Sequence, residues 1–364
     1  MINKDISTIK KLLRDSVLIT SFSIFSILIF DLLLTKIYGP RGFSKFFESN
    51  QDAGFINKRE FVGRFGGPLD DFSNEISIDS FGTRKVISRK CNLSRINSEN
   101  KNLVFVGDSM TAGFEVKDNE HYVSRLSENC ISNGLIINGG VRAHDTHMAA
   151  ANAVRILKEF NLDQLNTVIV YGFSHNDFIE NDNKNSYYNM KARFGSIFDQ
   201  ENYKPSANFN YLRLRMFVAD NFYFTAKLIR QLELYRQLKA SKKDINSFRS
   251  EFNSEKCERV ISILDDTFSS RSVKSKVFLF VHPDFYKFIN LEDTKLMENC
   301  LISAATNHNQ ISILPIHSFI DTKGDKYNYQ KFIFKRDGHY SPKGHLFISE
   351  ILLPKLESAL SKNN

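Results

Sequence analysis

Four short polar segments of the 364-residue chain hold the side chains best suited to making and breaking bonds: GDSMTAGF (residues 107–114), NGGVRAHDTH (138–147), GFSHND (172–177) and RDGHYSPKGH (336–345). Together they supply a serine hydroxyl, small residues whose backbone N–H groups can approach a ligand, an asparagine amide and an Asp/His pair. Acyl transfer needs those parts: a nucleophile, hydrogen-bond donors for an oxyanion, and a base with a carboxylate to orient it. Each part also has a plainer reading when taken alone. Ser109 suits a helix N-cap, Asn176 suits a loop or capping position, DGH suits a turn, and a lone histidine is more often structural.

Other chemistries find less support. His144 and His147, three residues apart in HDTH, could share a helix face, but no further ligands cluster near them in sequence. Cys91, Cys130, Cys257 and Cys300 are too widely spaced for a zinc site. GDSMTAG lacks the second glycine of a Gly-x-Ser-x-Gly elbow, and no Gly-Lys-Ser/Thr follows to cradle a phosphate. The residues imply neither a metal nor a cofactor.

The elements around these segments explain why they could meet. LVFV (103–106), LIIN (135–138) and TVIVYG (167–172) are apolar, β-branched runs that end where the first three polar segments begin. KVFLFVHPD (276–284) and ISILPI (311–316) read as two further strands. Helical patterns alternate with them: DNEHYVSRLSENC (118–130), THMAAANAVRILKEF (146–160), LEDTKLMENCLISAATN (291–307) and a closing GHLFISEILLPKLESAL (344–360). Strands that are apolar on both faces, alternating with helices, predict an α/β fold with a parallel sheet covered on both sides. In such sheets chemistry gathers beyond the C-terminal strand ends, where the polar segments stand. Residues 178–268 break the rhythm with a polar tract and a long helical stretch around 211–243, and read as an insertion or cap.

In this order the four segments resemble the blocks of the SGNH (GDSL-type) hydrolase family. GDSMTAGF resembles the serine block, NGGVRAHDT the Asn-x-Gly-Val-x-Gly block, GFSHND the Gly-x-Asn-Asp block and DGHYSPKGH the Asp/His block; DSFGTRK (79–85) resembles the lead-in of membrane-anchored bacterial members. The resemblance covers about residues 75–360 and implies a three-layer α/β/α fold with a flavodoxin-like parallel sheet. It implies Ser109 as nucleophile, His339 as base and Asp337 as the carboxylate that orients it. The oxyanion hole it implies consists of the Ser109 N–H, the Ala143 N–H with Gly140 as fallback, and the Asn176 side-chain amide. Two departures stand out. The commoner Asp-x-x-His spacing would put the acid at Arg336, whereas this chain has Asp-x-His. Ala143 replaces a glycine, which is costly if the position needs φ > 0. Gly344 follows His339 by the family's five positions, so His339 matches and His345 starts the last helix.

Composition places the whole in a class. Hydrophobic residues make up 42% and charged residues 25%, ordinary for a globular chain, and the net charge of +8 comes from scattered residues. With no dense basic block, nucleic acid is not an expected partner. Residues 17–34, VLITSFSIFSILIFDLLL, are apolar or hydroxylated apart from Asp31. As a helix they reach roughly 27 Å, enough to cross a hydrocarbon core. Lys4, Lys10, Lys11 and Arg14 precede the run and favour an N-in orientation. The expected organisation is a cytoplasmic tail (1–15), a signal anchor (16–38), a connector packed on the main domain (39–100) and a catalytic domain (101–360) outside the cytoplasm. There the four cysteines could bridge in three ways or remain thiols. The expected function is hydrolysis or transfer of an acyl ester, foremost O-acetyl on a surface glycan, with a lipid-linked substrate also open. The competing class is a catalytically silent glycan-binding or scaffold protein on the same fold.

Overall fold

In the computed structural model the described residues are 2–38, 45–67, 70–87, 101–182, 217–218, 221–229, 231–232, 253–283, 291–317, 331–335 and 337–361. Their elements in chain order are α1 (Ile2–Tyr38), β1 (Phe47–Asn50), β2 (Gly54–Asn57), β3 (Val62–Gly66), β4 (Ser73–Ser77), β5 (Asn102–Gly107), α2 (Ser109–Ala112), α3 (Tyr122–Glu128), β6 (Ile136–Asn138), α4 (Thr146–Glu159), β7 (Thr167–Phe173), α5 (Asn176–Asp182), α6 (Ser254–Ser270), β8 (Lys276–Val281), α7 (Leu291–Ala305), β9 (Ile311–Ile313) and α8 (Pro342–Ser361).

The five apolar runs form one parallel sheet in the order β6-β5-β7-β8-β9. Counted along the sheet this is the 2-1-3-4-5 order of flavodoxin-like folds, whose topological switch point lies between β5 and β7. Side chains alternate across the sheet and both faces are dry. Leu103, Phe105, Val168, Val170, Phe278 and Phe280 meet α3 and α8. Val104, Val106, Ile169, Tyr171, Val277 and Leu279 meet α4, α6 and α7. The architecture is three-layer α/β/α, and each large apolar side chain buried in it contributes roughly 1.5–3 kcal/mol.

Two differences from the sequence reading have physical causes. α6 packs Cys257, Val260, Ile261, Leu264 and Phe268 into the core, so the expected insertion at 178–268 ends before Ser254. Its polar preamble obscured a regular covering helix. The Cys257–Cys300 disulfide ties α6 to α7; Cys130 is disulfide-bonded as well, and Cys91 lies outside the described residues. The connector contains two antiparallel hairpins, β1–β2 and β3–β4. Arg84 N donates to Asn138 O at 2.8 Å and extends the edge at β6.

The chain divides into two compact units, one holding the sheet and one holding α1 with helical residues from 217–232. In the second unit Lys11–Ile37 is long and apolar enough to cross a membrane by length and composition, and only 6% of its apolar window is buried.

Candidate active site

The site begins where β5 ends. Gly107 has φ +150, and a Cβ there would come within 2.5 Å of Thr111 Oγ1 and 2.6 Å of Gly172 O. Only glycine lets the chain leave the sheet so sharply. Asp108 then caps α2, its Oδ1 accepting from Met110 N at 2.9 Å. Ser109 is therefore the first helical residue and not the cap, which frees its hydroxyl. α2 is a single turn, closed by left-handed Gly113. Individual N–H groups, more than a long macrodipole, shape the field at Ser109.

The last polar segment reaches the same place. A tight turn, with Gly338 N and His339 O both bonded to Phe334 at 2.8 Å, projects Asp337 and His339 together. Gly338, at φ +88, supplies the left-handed step between them, so the Asp-x-His spacing brings both side chains to one side. His339 Nε2 lies 2.8 Å from Ser109 Oγ, and His339 Nδ1 bonds Asp337 Oδ1. Serine, imidazole and carboxylate thus form one hydrogen-bonded chain at the C-terminal end of β5. Arg336 lies outside the described residues.

A second carboxylate stands at the same imidazole. Glu115 is fully buried, with Oε1 3.4 Å from His339 Nδ1. The same oxygen pairs with Arg142, whose guanidinium sits 4.9 Å from the Phe65 ring centroid. Burial alone lowers the His339 pKa, but the charges of Glu115 and Asp337 and the bond to Asp337 outweigh it, and the net shift is upward. With the imidazole neutral, Glu115, Asp337 and Arg142 sum to one negative charge, which favours the protonated form of the ring. Glu115, Asp337 and His339 also offer ligand atoms within 4.8 Å of one another. Arg142 already supplies a cation at Glu115, and the Ser109–His339 bond engages the remaining ring nitrogen.

The oxyanion candidates come from three loops. The Ser109 N–H begins α2 and Asn176 begins α5, just past β7. Buried Asp177 fixes that second start by accepting from Ser174 N at 3.1 Å and from Tyr171 OH at 2.9 Å. Ala143 lies on the β6–α4 loop with φ +63, in the left-handed region that only glycine adopts without cost. Gly140 does not serve as its fallback, because its N–H is taken by Asn138 Oδ1 at 3.0 Å. A Cβ there would also meet Ala112 N at 2.5 Å. Among the described residues no acceptor takes the N–H groups of Ser109 or Ala143, or the Asn176 amide. Val141 N donates to Gly107 O at 3.0 Å and holds this loop against the end of β5.

Three other buried histidines, His144, His345 and His282, have partners of their own. Buried His144 bonds Phe55 O at 2.8 Å through Nε2, and burial lowers its pKa to about 3. His147 faces solvent, so HDTH does not converge on one point. His345 lies in α8 and its Nδ1 accepts from Tyr122 N at 3.4 Å. Beneath Ser109, His282 Nε2 meets Thr111 Oγ1 at 3.1 Å, and burial lowers the His282 pKa to about 3.

Sequence reasoning missed Glu115, Arg142 and the role of Arg84. Arg84 is buried and donates to Ala112 O at 2.9 Å, to Val116 O at 2.6 Å and to Gly113 O. It pairs with Asp118 at 3.1 Å, which clamps the loop that carries Glu115. Nothing in DSFGTRK itself marks Arg84 as buried; its three carbonyl partners emerge only in the fold.

No protein-family model matches the chain, and no curated protein matches it. Several solved structures of low identity are similar to part of it. An α/β hydrolase enzyme from a metagenome of Lake Arreo, Spain, is 12% identical, with a TM-score of 0.40 over 71% of this chain and 96% of its own. A member of the lipolytic G-D-S-L family from Veillonella parvula is 13% identical, with a TM-score of 0.38 over 70% and 97%. A lipase/acylhydrolase from Enterococcus faecalis is 12% identical, with a TM-score of 0.37 over 71% and 96%.

Proposed function

We propose that this protein is a membrane-anchored serine esterase or O-acyltransferase of the SGNH type, working through an acyl-enzyme on Ser109. The observation that carries the reading is the Ser109–His339–Asp337 hydrogen-bonded chain at the C-terminal end of β5. His339 Nε2 takes the Ser109 proton as Oγ bonds to the ester carbonyl carbon. The carbonyl oxygen becomes an oxyanion, bound by the N–H groups of Ser109 and Ala143 and the Asn176 amide. The intermediate collapses, the C–O bond to the leaving alcohol breaks, and His339 returns the proton to that alcohol. A water or an acceptor hydroxyl then attacks the acyl-serine by the same route in reverse, which gives hydrolysis or transfer.

O-acetyl groups on a surface glycan are the substrate class this reading favours, since an anchored enzyme works on material held at the envelope. α1 serves as a single-pass anchor, with the catalytic domain outside the cytoplasm. The Cys257–Cys300 disulfide supports that side of the membrane, because disulfides persist in oxidising compartments. A fluorophosphonate probe tests the nucleophile: mass mapping should place one adduct on the Ser109 peptide. Unmodified Ser109 under conditions that label a control serine esterase contradicts the reading. The acetyl content of the surface glycan with and without the gene separates the reactions. A rise on deletion means esterase and a fall means transferase. A reporter fused after residue 50 should be active only outside the cytoplasm.

A further inference from the structure

Asp31 is the one charged residue in the apolar run 17–34, and it is fully buried although α1 is otherwise bare, with Leu33 54% exposed. What buries it is the start of a second helix. Phe224 N and Thr225 N donate to its two carboxylate oxygens, the latter at 2.9 Å, and Thr225 Oγ1 donates at 2.6 Å. One turn further along α1, Thr35 Oγ1 accepts from Tyr223 N at 2.8 Å. Residues 223–229 and 231–232 are helical, so α1 side chains satisfy three successive N–H groups that a helix start leaves orphaned.

That arrangement suits a medium without water. A carboxylate in hydrocarbon is costly unless donors take its lone pairs, and the same holds for orphaned N–H groups. From Lys11 to Asp31 the helix rises roughly 30 Å, the thickness of a hydrocarbon core. If α1 spans the bilayer, Asp31 stands at its far boundary. The second helix is two-sided there: Tyr223 and Lys227 are buried, whereas Phe224, Leu228 and Leu232 are 36%, 49% and 52% exposed. Four-residue steps advance about 40° around a helix, so these three side chains form one apolar stripe.

We propose that helical residues 223–229 and 231–232 lie along the outer boundary of the phospholipid bilayer, fastened to the anchor by Asp31, with Phe224, Leu228 and Leu232 among the acyl chains. The inference rests on the reading of α1 as an anchor, and it gives the lone intramembrane acid a structural role as the cap of an interfacial helix.

The chain contains no tryptophan, so a single introduced one reports its own surroundings. The full chain is reconstituted in vesicles of phosphatidylcholine and phosphatidylglycerol, with plain or brominated acyl chains. Phe25→Trp reports the span and Leu228→Trp reports the stripe. Brominated lipid should quench both, and Leu228→Trp emission should be blue-shifted. Asp31→Ala should abolish most quenching of Leu228→Trp and leave that of Phe25→Trp unchanged, with Asp31→Asn falling between. Quenching of Phe25→Trp without quenching of Leu228→Trp overturns the proposal while the anchor stands; quenching of neither overturns both. Unchanged quenching of Leu228→Trp on Asp31→Ala overturns the fastening role.

Discussion

The pair of carboxylates at His339 makes a prediction that a single-acid triad does not. Asp337 bonds Nδ1, and Glu115 Oε1 stands 3.4 Å from the same atom. Where one acid alone sets the imidazole tautomer, its loss costs roughly 10⁴ in rate, or about 5.4 kcal/mol. At an effective dielectric of about 20, unit charges 3.4 Å apart interact by roughly 5 kcal/mol. Arg142 on the same oxygen offsets part of this. Glu115 is thus strong enough to take over much of the work of Asp337. The expected kcat/KM losses are about 10²–10³ for Asp337→Ala, about 3–30-fold for Glu115→Gln and about 10⁵ or more for the double variant. The double loss should exceed the product of the single losses, a coupling of roughly 1–3 kcal/mol. The assay is p-nitrophenyl acetate hydrolysis by the full chain in detergent, with thermal melts to confirm folding. A full loss of about 10⁴ for Asp337→Ala with Glu115→Gln neutral refutes the reasoning, as does strict multiplicativity.

Three further outcomes follow from the same geometry. The base must be neutral to act and the His339 pKa is raised, so activity should climb with pH through a limb above the usual histidine range; Glu115→Gln should move that limb to lower pH, and an unmoved or raised limb counts against the electrostatic assignment. Ala143→Gly relieves a left-handed alanine worth about 1–2 kcal/mol and adds about 0.5–1 kcal/mol of chain entropy loss, so melts should show modest stabilisation with kcat/KM changed by only a few fold. Gly107→Ala forces a Cβ against Thr111 and the Gly172 carbonyl and should cost at least about 1–3 kcal/mol, together with most of the activity; a variant as stable and active as the parent would show that the β5 exit is not tight.

Much of this was legible in the sequence, for physical reasons. LVFV and TVIVYG are apolar on both faces because helices cover both, and that pattern survives in one dimension. Parallel strands gather their C-terminal ends, which explains how Ser109 and His339, 230 residues apart in the chain, come within hydrogen-bond distance; the roles expected of them and of Asp337 came from the resemblance of the four segments. Glu115 was not legible, since a lone acid in GFEVK carries no signal until the fold pairs it with Arg142 and Arg84 clamps its loop. The environment of Ala143 was half legible: the missing glycine was visible, but the φ it needs is a backbone fact. α6 hid behind the polar stretch before it. Asp31 looked like a blemish in an apolar run, because its partners lie more than 190 residues away.

The most direct test of the central claim compares the parent chain with Ser109→Ala in acid release from p-nitrophenyl acetate. Ser109 is exposed enough to lie on the site surface and packs no core, so the variant should fold with unchanged melting. The account predicts that hydrolysis by Ser109→Ala falls to the level of buffer. Equal rates for the two proteins would contradict it.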